Sequence, residues 1–300
     1  MIQSTSTVEN KGDFMMKPGL LIGVLLLCLP ASAFASGMML HIWMGDHAAD
    51  MVSDPELQLL LGAEQSSYRS GCVYPDSGYA VPDRHWGEFS HWGGFLNSYA
   101  RYISRTCQYP FTGNCRTLVA HYLGTLCHSL GDVNFDRYFV RQVANQTFQG
   151  SLSRAQDFTD KGLDFIAVME ERRGKQFKWQ WAPVDDLVNI YEDSGHGVSK
   201  DEIVKGVQIH NLANLGIRLV APLTWLFYKQ QSPWAVENYL TARGGVFDTG
   251  SEIARAWDQA WTFLKNSGHS AEYPEIGFSG SWPDISYVIA SGFQEDRSAD

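Results

Sequence analysis

The sequence predicts an all-α protein with a single helical domain. Apolar residues recur at helical spacing through most of the chain, and no strand-like alternation persists long enough to imply a sheet. No stretch rich in Pro, Gly or Ser separates two domains, so we expect residues 36–300 to fold as one unit.

The N-terminal residues have the layout of a secretory signal peptide. Lys17 precedes the apolar run Leu20–Leu29, and small residues follow that run. Ala33 and Ala35 form an Ala-x-Ala pattern, which predicts a signal peptide over residues 1–35 with cleavage after Ala35. The apolar run is too short for a comfortable membrane span. We therefore expect a secreted or periplasmic protein without a transmembrane segment in the mature chain.

The remaining elements follow in order from periodicity and boundary residues. Pro55 near a start and Gly71 near an end bound the second helix, and Ser199 with Glu202 forms a capping-box pattern. Pro, Gly and Asp make VYPDSGYAVPDRHWGEFSHWGG a turn-rich interruption. The predicted helices are HIWMGDHAADMV, DPELQLLLGAEQSSYRSG, FLNSYARYISRT, CRTLVAHYLGTLCHSLGDVNFDRYFVRQVANQTF, SLSRAQDFTDKGLDFIAVMEERR, APVDDLVNIYED, SKDEIVKGVQIHNLANLGIRLVAPLTWLFYKQQ, SPWAVENYLTARGG and GSEIARAWDQAWTFLKNS. The fourth is the longest and mostly apolar, which predicts a central position.

Charge and cysteine content narrow the functional class. The chain has a net charge of −10, which argues against broad electrostatic attachment to nucleic acid or anionic lipid. Cys72, Cys107, Cys115 and Cys127 remain after the predicted cleavage, and an even number of cysteines in an exported chain favours disulfides. Cys107 and Cys115, on either side of the turn-rich QYPFTGN, are the easiest local pair. Free, buried thiols are the alternative.

The segment LCHSLGDVNFDRYF places His128, Asp132 and Asp136 at steps of four residues. In a helix these side chains lie on nearly one stripe, each about one turn from the next. Imidazole and carboxylate are ligands that zinc accepts, and a pair one turn apart can bind a single ion. Asp132 lies among apolar neighbours, where a buried carboxylate needs a cation or several donors. The stripe therefore predicts a metal-binding face.

Further candidate ligands precede this stripe. Six of the nine histidines fall between His41 and His128, and Asp76 lies in the same part of the chain. Taken alone, a histidine on an apolar helix face is more often a packed core residue, and YPDSGY is most often a turn. The order His, Asp, His and His-x-x-x-Asp points to a metal more strongly than any of its parts.

At this point the chain resembles a known family. The segments SGMMLHIWMGDHA, YRSGCVYPDSGY, FSHWGGFLNSYARYI and TLVAHYLGTLCHSLGDVNFD are similar, in this order and spacing, to the zinc-dependent phospholipase C family. The likeness continues through WAPVDDLVNIYE, IVKGVQIHNL and KQQSPWAVENYL. It implies an all-α fold of the zinc-dependent phospholipase C / P1 nuclease type. It also implies a cluster of up to three zinc ions and phosphodiester hydrolysis.

The resemblance assigns roles to the early ligands. It implies that Asp76, His91, His128 and Asp132 form one metal site. It also implies that Asp132 bridges to a second metal, which His41 binds. Each of these residues is carried over from a motif quoted above.

The third site departs from the family pattern. Asp136 stands where the resemblance implies another histidine, eight residues beyond His128. Ser153 and Asp157 stand where it implies a His-x-x-x-Asp or His-x-x-x-Glu pair. We therefore predict an altered third site with Asp136 and Asp157 as ligands, and Asp160 or Asp164 as substitutes. The expected cofactor is one to three Zn²⁺ ions, although a carboxylate-rich site also suits harder ions.

The resemblance also implies a mechanism. Metals that clamp a phosphodiester and lower the pKa of a bound water provide the nucleophile, and Asp76 is the candidate catalytic base. Tyr74, Tyr79 and Trp92 are expected to border a lipid or headgroup pocket. The alternative for these aromatic residues is ordinary core or surface packing.

Three functions follow for testing. The prediction is an exported phosphodiester hydrolase of phospholipase C or D type, with a phospholipid or glycosylated inositol lipid as substrate and transient contact with a membrane surface. A degenerate family member that binds metal or a phospholipid headgroup without catalysis is the alternative, favoured by the altered third site. A P1-type nuclease is disfavoured by the shortage of basic residues, so no nucleic acid partner is expected.

Overall fold

A computed structural model of the protein describes residues 37–81, 85–172 and 179–267. Within these ranges the chain forms helices and turns and contains no strand, which confirms the predicted all-α class. The predicted signal peptide, residues 1–35, lies outside the described residues, as do residues 268–300 of the predicted domain.

The helices alternate with short connections. They are α1 (Met38–Met51), α2 (Pro55–Ala63), α3 (Gln65–Gly71), α4 (His85–Ser90), α5 (Gly93–Thr106), α6 (Asn114–Asn134), α7 (Arg141–Thr147), α8 (Leu152–Glu170), α9 (Val184–Asp193), α10 (Lys200–Gln231), α11 (Pro233–Asn238) and α12 (Val246–Ser267). A 3-10 helix, Pro75–Ala80, precedes α4, and a π-helical turn, Phe135–Val140, joins α6 to α7.

Several predicted elements differ from the structure; SPWAVENYLTARGG, for example, is helical only over Pro233–Asn238. The helix predicted through Gly71 divides into α2 and α3 because the backbone of Glu64 (φ −110°, ψ 33°) leaves the helical region. The turn-rich segment contains a 3-10 helix, with Pro75 in its first turn, and also α4. Both short helices are too brief for apolar periodicity to reveal them.

Capping residues fix two helix starts. The Asp54 carboxylate accepts hydrogen bonds from the backbone N–H groups of Glu56 (2.9 Å) and Leu57 (3.2 Å) at the start of α2. The predicted capping box is present at α10, where Ser199 N–H donates to Glu202 (2.8 Å) and Glu202 N–H donates to the Ser199 hydroxyl (3.3 Å).

Helix α6 runs through the core, as predicted. Every residue from Leu118 to Gly131 is buried. Helix α3 approaches it so closely that a Cβ added to Gly124 would overlap the Tyr68 carbonyl oxygen and lie 2.8 Å from the Cys72 nitrogen. On another side, Trp257 of α12 donates its indole N–H to the Leu123 carbonyl at 2.7 Å. The polar residues of the C-terminal half of α6 are therefore held inside the protein.

The cysteines divide into two groups. Cys107 and Cys115 form a disulfide with Cα atoms 5.6 Å apart, which confirms the predicted pair. Cys72 and Cys127 are free and buried, so the alternative reading holds for these two thiols.

Helix α10 spans 32 residues and packs on both α8 and the 3-10 helix Pro75–Ala80. Near its end, Tyr228 lies against Phe165 of α8, with ring centroids 5.2 Å apart. None of the described helices combines the length and the apolar character that a bilayer crossing requires.

Candidate metal centre

Four elements bring the predicted ligands of the first two metals together in the core. His41 lies on α1, Asp76 on the 3-10 helix, His91 directly after α4, and His128 and Asp132 on α6. All but Asp132 are buried, and the Asp132 side chain retains 13% exposure. Residues separated by as much as 91 positions in the chain therefore share one interior site.

Asp76, His91 and His128 form the first group. The Nε2 atoms of the two histidines lie 3.0 Å apart. Asp76 Oδ1 lies 3.4 Å from His91 Nε2 and 3.7 Å from His128 Nε2. One ligand atom from each residue falls within 4.8 Å of the others, a spacing that suits a shared ion.

Asp132 joins this group to a second one. Its Oδ1 lies 3.1 Å from His41 Nε2, whereas its Oδ2 lies 3.4 Å from His128 Nε2 and 3.7 Å from His91 Nε2. The His41 and His128 rings stack at 4.1 Å. Gly131 permits this approach, since an added Cβ would lie 2.7 Å from His41 Nδ1. The two Asp132 oxygens are thus placed to serve two ions.

The hydrogen bonds behind the histidines assign their tautomers. His91 Nδ1 donates to the Gly87 carbonyl at 2.6 Å, and His128 Nδ1 donates to the Cys72 carbonyl at 2.8 Å. Carbonyl oxygens only accept, so each Nδ1 carries a proton and each Nε2 faces the site, where its lone pair can bind an ion. Backbone carbonyls orient metal-binding histidines in this way.

The cluster fits a divalent cation. Two Nε2 atoms that face each other at 3.0 Å need either a proton or a metal ion between them. Beside them, neither oxygen of the buried Asp76 accepts a hydrogen bond from a described residue, and His41 Nδ1 also has no such partner. A buried carboxylate without donors is costly unless a cation binds it. The donor set of imidazoles and carboxylates is one that zinc accepts.

The pKa values of the cluster reflect the cost of burying its charged groups close together. Burial raises the pKa of Asp76 to about 6. Burial disfavours the charged form of His91, but the carboxylates of Asp76 and Asp132 outweigh it and raise the His91 pKa to about 9. Burial would raise the pKa of Asp132, yet His128 and His41 lower it overall. Without a metal, protons must therefore bind to the cluster to balance the negative charge of its carboxylates.

The third group differs from the sequence-based choice. Gln156 Nε2 donates to Asp136 Oδ1 at 3.1 Å and to Asp160 Oδ1 at 2.9 Å. Asp157 does not reach this group, because its side chain is 81% exposed and lies 3.9 Å from Lys161. One residue along a helix turns a side chain by about 100°. The structure thus places Asp160, and not Asp157, beside Asp136, and the role of these carboxylates as metal ligands stays a prediction.

Burial and mutual repulsion raise the pKa values of the carboxylates in this third group. Burial and the charge of Asp132 raise the pKa of Asp136 to about 7. Burial and the charge of Asp136 raise the pKa of Asp160 as well. Gln156 and Asp160 have the same four-residue spacing as the pair that the resemblance implies at Ser153 and Asp157, but they lie three residues further along the chain.

Asp164, the other predicted substitute, has a different task. It is fully buried and accepts hydrogen bonds from the backbone N–H groups of Met39 (3.0 Å) and Leu40 (3.3 Å). These donors lie in the first turn of α1, where a carboxylate is favourable. Asp164 therefore fixes the helix that carries His41.

The predicted substrate-binding aromatic residues separate into two kinds. Tyr74 is fully buried, with its hydroxyl 3.1 Å from that of Tyr191 and its ring packed against His121 at 5.3 Å. No surface of Tyr74 is left for a substrate, so the alternative of core packing is correct for this residue.

Tyr79 and Trp92 are partly exposed beside the metal ligands. Their rings lie 5.1 Å and 5.8 Å from the His91 ring. Glu88 holds both, since it accepts hydrogen bonds from the Tyr79 hydroxyl (2.8 Å) and from Trp92 Nε1 (3.0 Å). Sequence reasoning missed Glu88, whose only signal is its position between Tyr79 and Trp92.

We expect Asp160→Asn to weaken binding of the most weakly held ion by at least about 10-fold, because it removes a carboxylate that faces the third group. Asp157→Asn, its neighbour on the outer face of α8, should bind metal as the native protein does. Elemental analysis and competition with a zinc chelator measure both. Equal losses in the two variants, or a loss only in Asp157→Asn, would contradict the structural placement.

Comparison with known proteins agrees with this geometry. Residues 40–201 match the family model described as zinc dependent phospholipase C. The chain is 27% identical to phosphatidylinositol-glycan-specific phospholipase D of Homo sapiens over 280 residues. The aligned region covers 87% of this chain and 33% of that protein. The Rattus norvegicus protein of the same name is 26% identical over 86% of this chain and 32% of its own length.

A more distant relative has the same name. The Dictyostelium discoideum phosphatidylinositol-glycan-specific phospholipase D is 22% identical over 79% of this chain and 26% of its own length. The chain thus spans about a third or less of the curated relatives it matches. No solved structure matches it. The family match covers more than half of the chain and includes all five candidate ligands of the first two groups, and on this ground the chain belongs to the zinc-dependent phospholipase C family.

Proposed function

We propose that this chain is an exported hydrolase that cleaves the phosphodiester of phospholipids or glycosylated inositol lipids with zinc bound at the cluster described above. The observation that carries the proposal is the pair of Nε2 atoms 3.0 Å apart beside the unpaired carboxylate of Asp76. Export rests on the signal-peptide pattern and agrees with the Cys107–Cys115 disulfide, which forms in oxidising compartments.

The five residues of the cluster are proposed to hold two ions. Asp76, His91 and His128 would hold one ion, while His41 and Asp132 would hold a second. Bound zinc supplies Lewis acidity toward the phosphoryl oxygens and makes water acidic enough to give a nucleophile near neutral pH.

The protein side chains supply orientation and proton transfer. Neither oxygen of Asp76 accepts a hydrogen bond from a described residue, so one could accept the proton of an attacking water while the other would help to hold the ion. The carbonyls of Gly87 and Cys72 keep His91 and His128 in the tautomer that this role requires. Rigid ligands of this kind lower the cost of positioning the reactants.

The headgroup is proposed to bind beside His91. Tyr79 and Trp92 offer partly exposed rings there, and Glu88 fixes both through hydrogen bonds. Aromatic faces suit a sugar or inositol ring as well as a choline headgroup, so they restrict the class of substrate and not its identity.

The altered third group favours a second candidate. Asp136 stands where the resemblance implies histidine, and the Gln156 amide N–H group links it to the carboxylate of Asp160. A group with carboxylates in place of imidazole selects zinc less strongly. A family member that binds metal and a lipid headgroup without hydrolysis is consistent with this change.

An assay of lipid products separates these candidates. We expect the zinc-loaded protein to release diacylglycerol if it is of type C, or phosphatidic acid if it is of type D. A chelator should abolish that release, and added zinc should restore it. Chelation should also lower the melting temperature, because an ion at 100 times its dissociation constant stabilises the folded state by about 2.7 kcal/mol.

Three results from the same zinc-loaded protein would contradict the proposal. Tight zinc binding without hydrolysis of any phospholipid or glycosylated inositol lipid would favour the non-catalytic candidate. Release of nucleotides from RNA or single-stranded DNA, with no lipid cleaved, would favour a nuclease. Failure to bind any divalent metal would overturn the metal centre itself.

A further inference from the structure

Helix α10 exposes a row of large apolar side chains, which we call the apolar stripe. Its members are Leu212 (58% exposed), Leu215 (38%), Leu219 (54%), Leu223 (84%), Leu226 (55%) and Phe227 (61%). They recur every three or four residues and so share one face of the helix. The opposite face packs into the protein through buried residues such as Asn214 and Ile217. Exposed apolar residues gathered in this way mark an interaction site.

After its first turn, which contains Asp201 and Glu202, helix α10 carries no acidic residue. The sequence has 33 acidic residues, yet none lies between Ile203 and Val236. The charged residues in that interval are Lys205, Arg218 and Lys229. Helix α10 therefore adds no carboxylate to the surface beside the stripe, and Glu170 of α8, which approaches its end, is paired with Lys229 at 2.6 Å. A helix face that carries no carboxylate of its own approaches lipid phosphates with little repulsion and buries no unpaired acid.

Aromatic residues accompany the stripe. Trp179 is 62% exposed. The next residue, Gln180, is fixed to α10 by two hydrogen bonds. Gln180 N–H donates to Asn211 Oδ1 (2.8 Å), and Asn211 Nδ2 donates to the Gln180 carbonyl (2.9 Å). These bonds bring the backbone of Trp179 close to the start of the stripe at Leu212. Phe227 ends the stripe. Tryptophan and phenylalanine beside leucine are typical of surfaces that enter the headgroup region of a bilayer.

The size of the stripe distinguishes a lipid surface from a second copy of the chain. From Leu212 to Phe227 the helix rises about 23 Å, and with a width near 10 Å the face covers on the order of 230 Å². A stable protein interface buries about 800 Å² on each partner. One narrow helical ridge is too small for that, whereas a bilayer needs no complementary shape to accept it.

We propose that the apolar stripe, together with Trp179, docks the protein on the surface of a zwitterionic phospholipid bilayer. This rests on the proposed function, since a lipid hydrolase must reach a substrate held in a membrane. Helix α10 packs on the 3-10 helix that carries Asp76 and on the helix that carries Asp160, so docking fixes the metal centre relative to the bilayer. The net charge of −10 favours zwitterionic over anionic lipid.

The test is binding to phosphatidylcholine vesicles, measured by flotation. We expect the double variant Leu219→Gln/Leu223→Gln to lower the vesicle partition coefficient by at least about 10-fold, because each leucine loses its burial in the bilayer. Leu59→Gln, on α2 and 74% exposed, is the matched control and should bind as the native protein does. Circular dichroism and melting temperature should match the native protein in all variants, since the substituted residues are exposed.

Two further measurements separate this proposal from the proposed function. Asp132→Asn should still bind vesicles even though we expect it to lose hydrolysis. The double variant should keep its activity on a short-chain phospholipid below its micelle concentration. Native vesicle binding without any lipid hydrolysis would leave the docking surface standing and count against the proposed function.

Three results would overturn the docking surface. They are no vesicle binding by the native protein, equal binding by the double variant, and a native dimer that the double variant converts to monomer. The last would assign the stripe to a second copy of the chain.

Discussion

Asp132→Asn is expected to lower lipid hydrolysis by more than about 100-fold and to reduce the number of bound zinc ions, because even partners that only orient metal ligands cost 10- to 100-fold when removed. Oδ1 of Asp132 lies 3.1 Å from His41 Nε2, and Oδ2 lies 3.4 Å from His128 Nε2. Asparagine keeps the size of the side chain but removes the negative charge that both groups share. One ligand change should therefore affect two ions.

Asp193→Asn is the matched control for this experiment. Asp193 is partly exposed and pairs with Arg105 at the surface, so its neutralisation should leave metal content and activity unchanged. Elemental analysis and the rate of product release should be measured on the same samples. If Asp132→Asn kept its full zinc content and native rate, Asp132 would not be a shared ligand.

Gly124→Ala is expected to destabilise the protein by about 3 kcal/mol, the upper part of the usual range for overpacking. The added methyl group would overlap the Tyr68 carbonyl oxygen and lie 2.8 Å from the Cys72 nitrogen. Helix α3 would have to move away from α6, which also displaces the Cys72 carbonyl that orients His128. At roughly 2 to 4 °C for each kcal/mol, the melting temperature should fall by about 6 to 12 °C.

Gly62→Ala makes the same chemical change but is expected to stabilise the protein. Gly62 lies within α2, and an added Cβ would meet nothing within 4 Å. Alanine is favoured over glycine inside a helix by roughly 0.5 to 1 kcal/mol, so this variant should melt slightly above the native protein. Equal melting temperatures for Gly124→Ala and the native protein would show that α3 and α6 are not in close contact.

Much of the fold could be predicted from the sequence because helices are encoded locally. The apolar repeat of the central helix, the Ser199–Glu202 capping box and the Cys107–Cys115 pair all depend on residues within a few positions of each other. The break at Glu64 was not predicted, since packing against α6 determines where the chain must turn.

The candidate site was predictable in part. The spacing of His128 and Asp132 indicates a metal face from one helix alone, and the family resemblance adds His41, Asp76 and His91. The structure brings these five residues together, and their role as zinc ligands stays a prediction.

The sequence by itself determined the helical class, the residue types of the metal face and the spacing of its central pair, because periodicity within a helix depends only on neighbouring residues. Tertiary structure alone decided that Asp160 and not Asp157 faces the cluster, and that Tyr74 is buried while Tyr79 is partly exposed. It also decided which face of α10 is left uncovered. The physical reason is that contact between distant segments depends on how whole helices pack, and a rotation of one residue moves a side chain from the core to solvent.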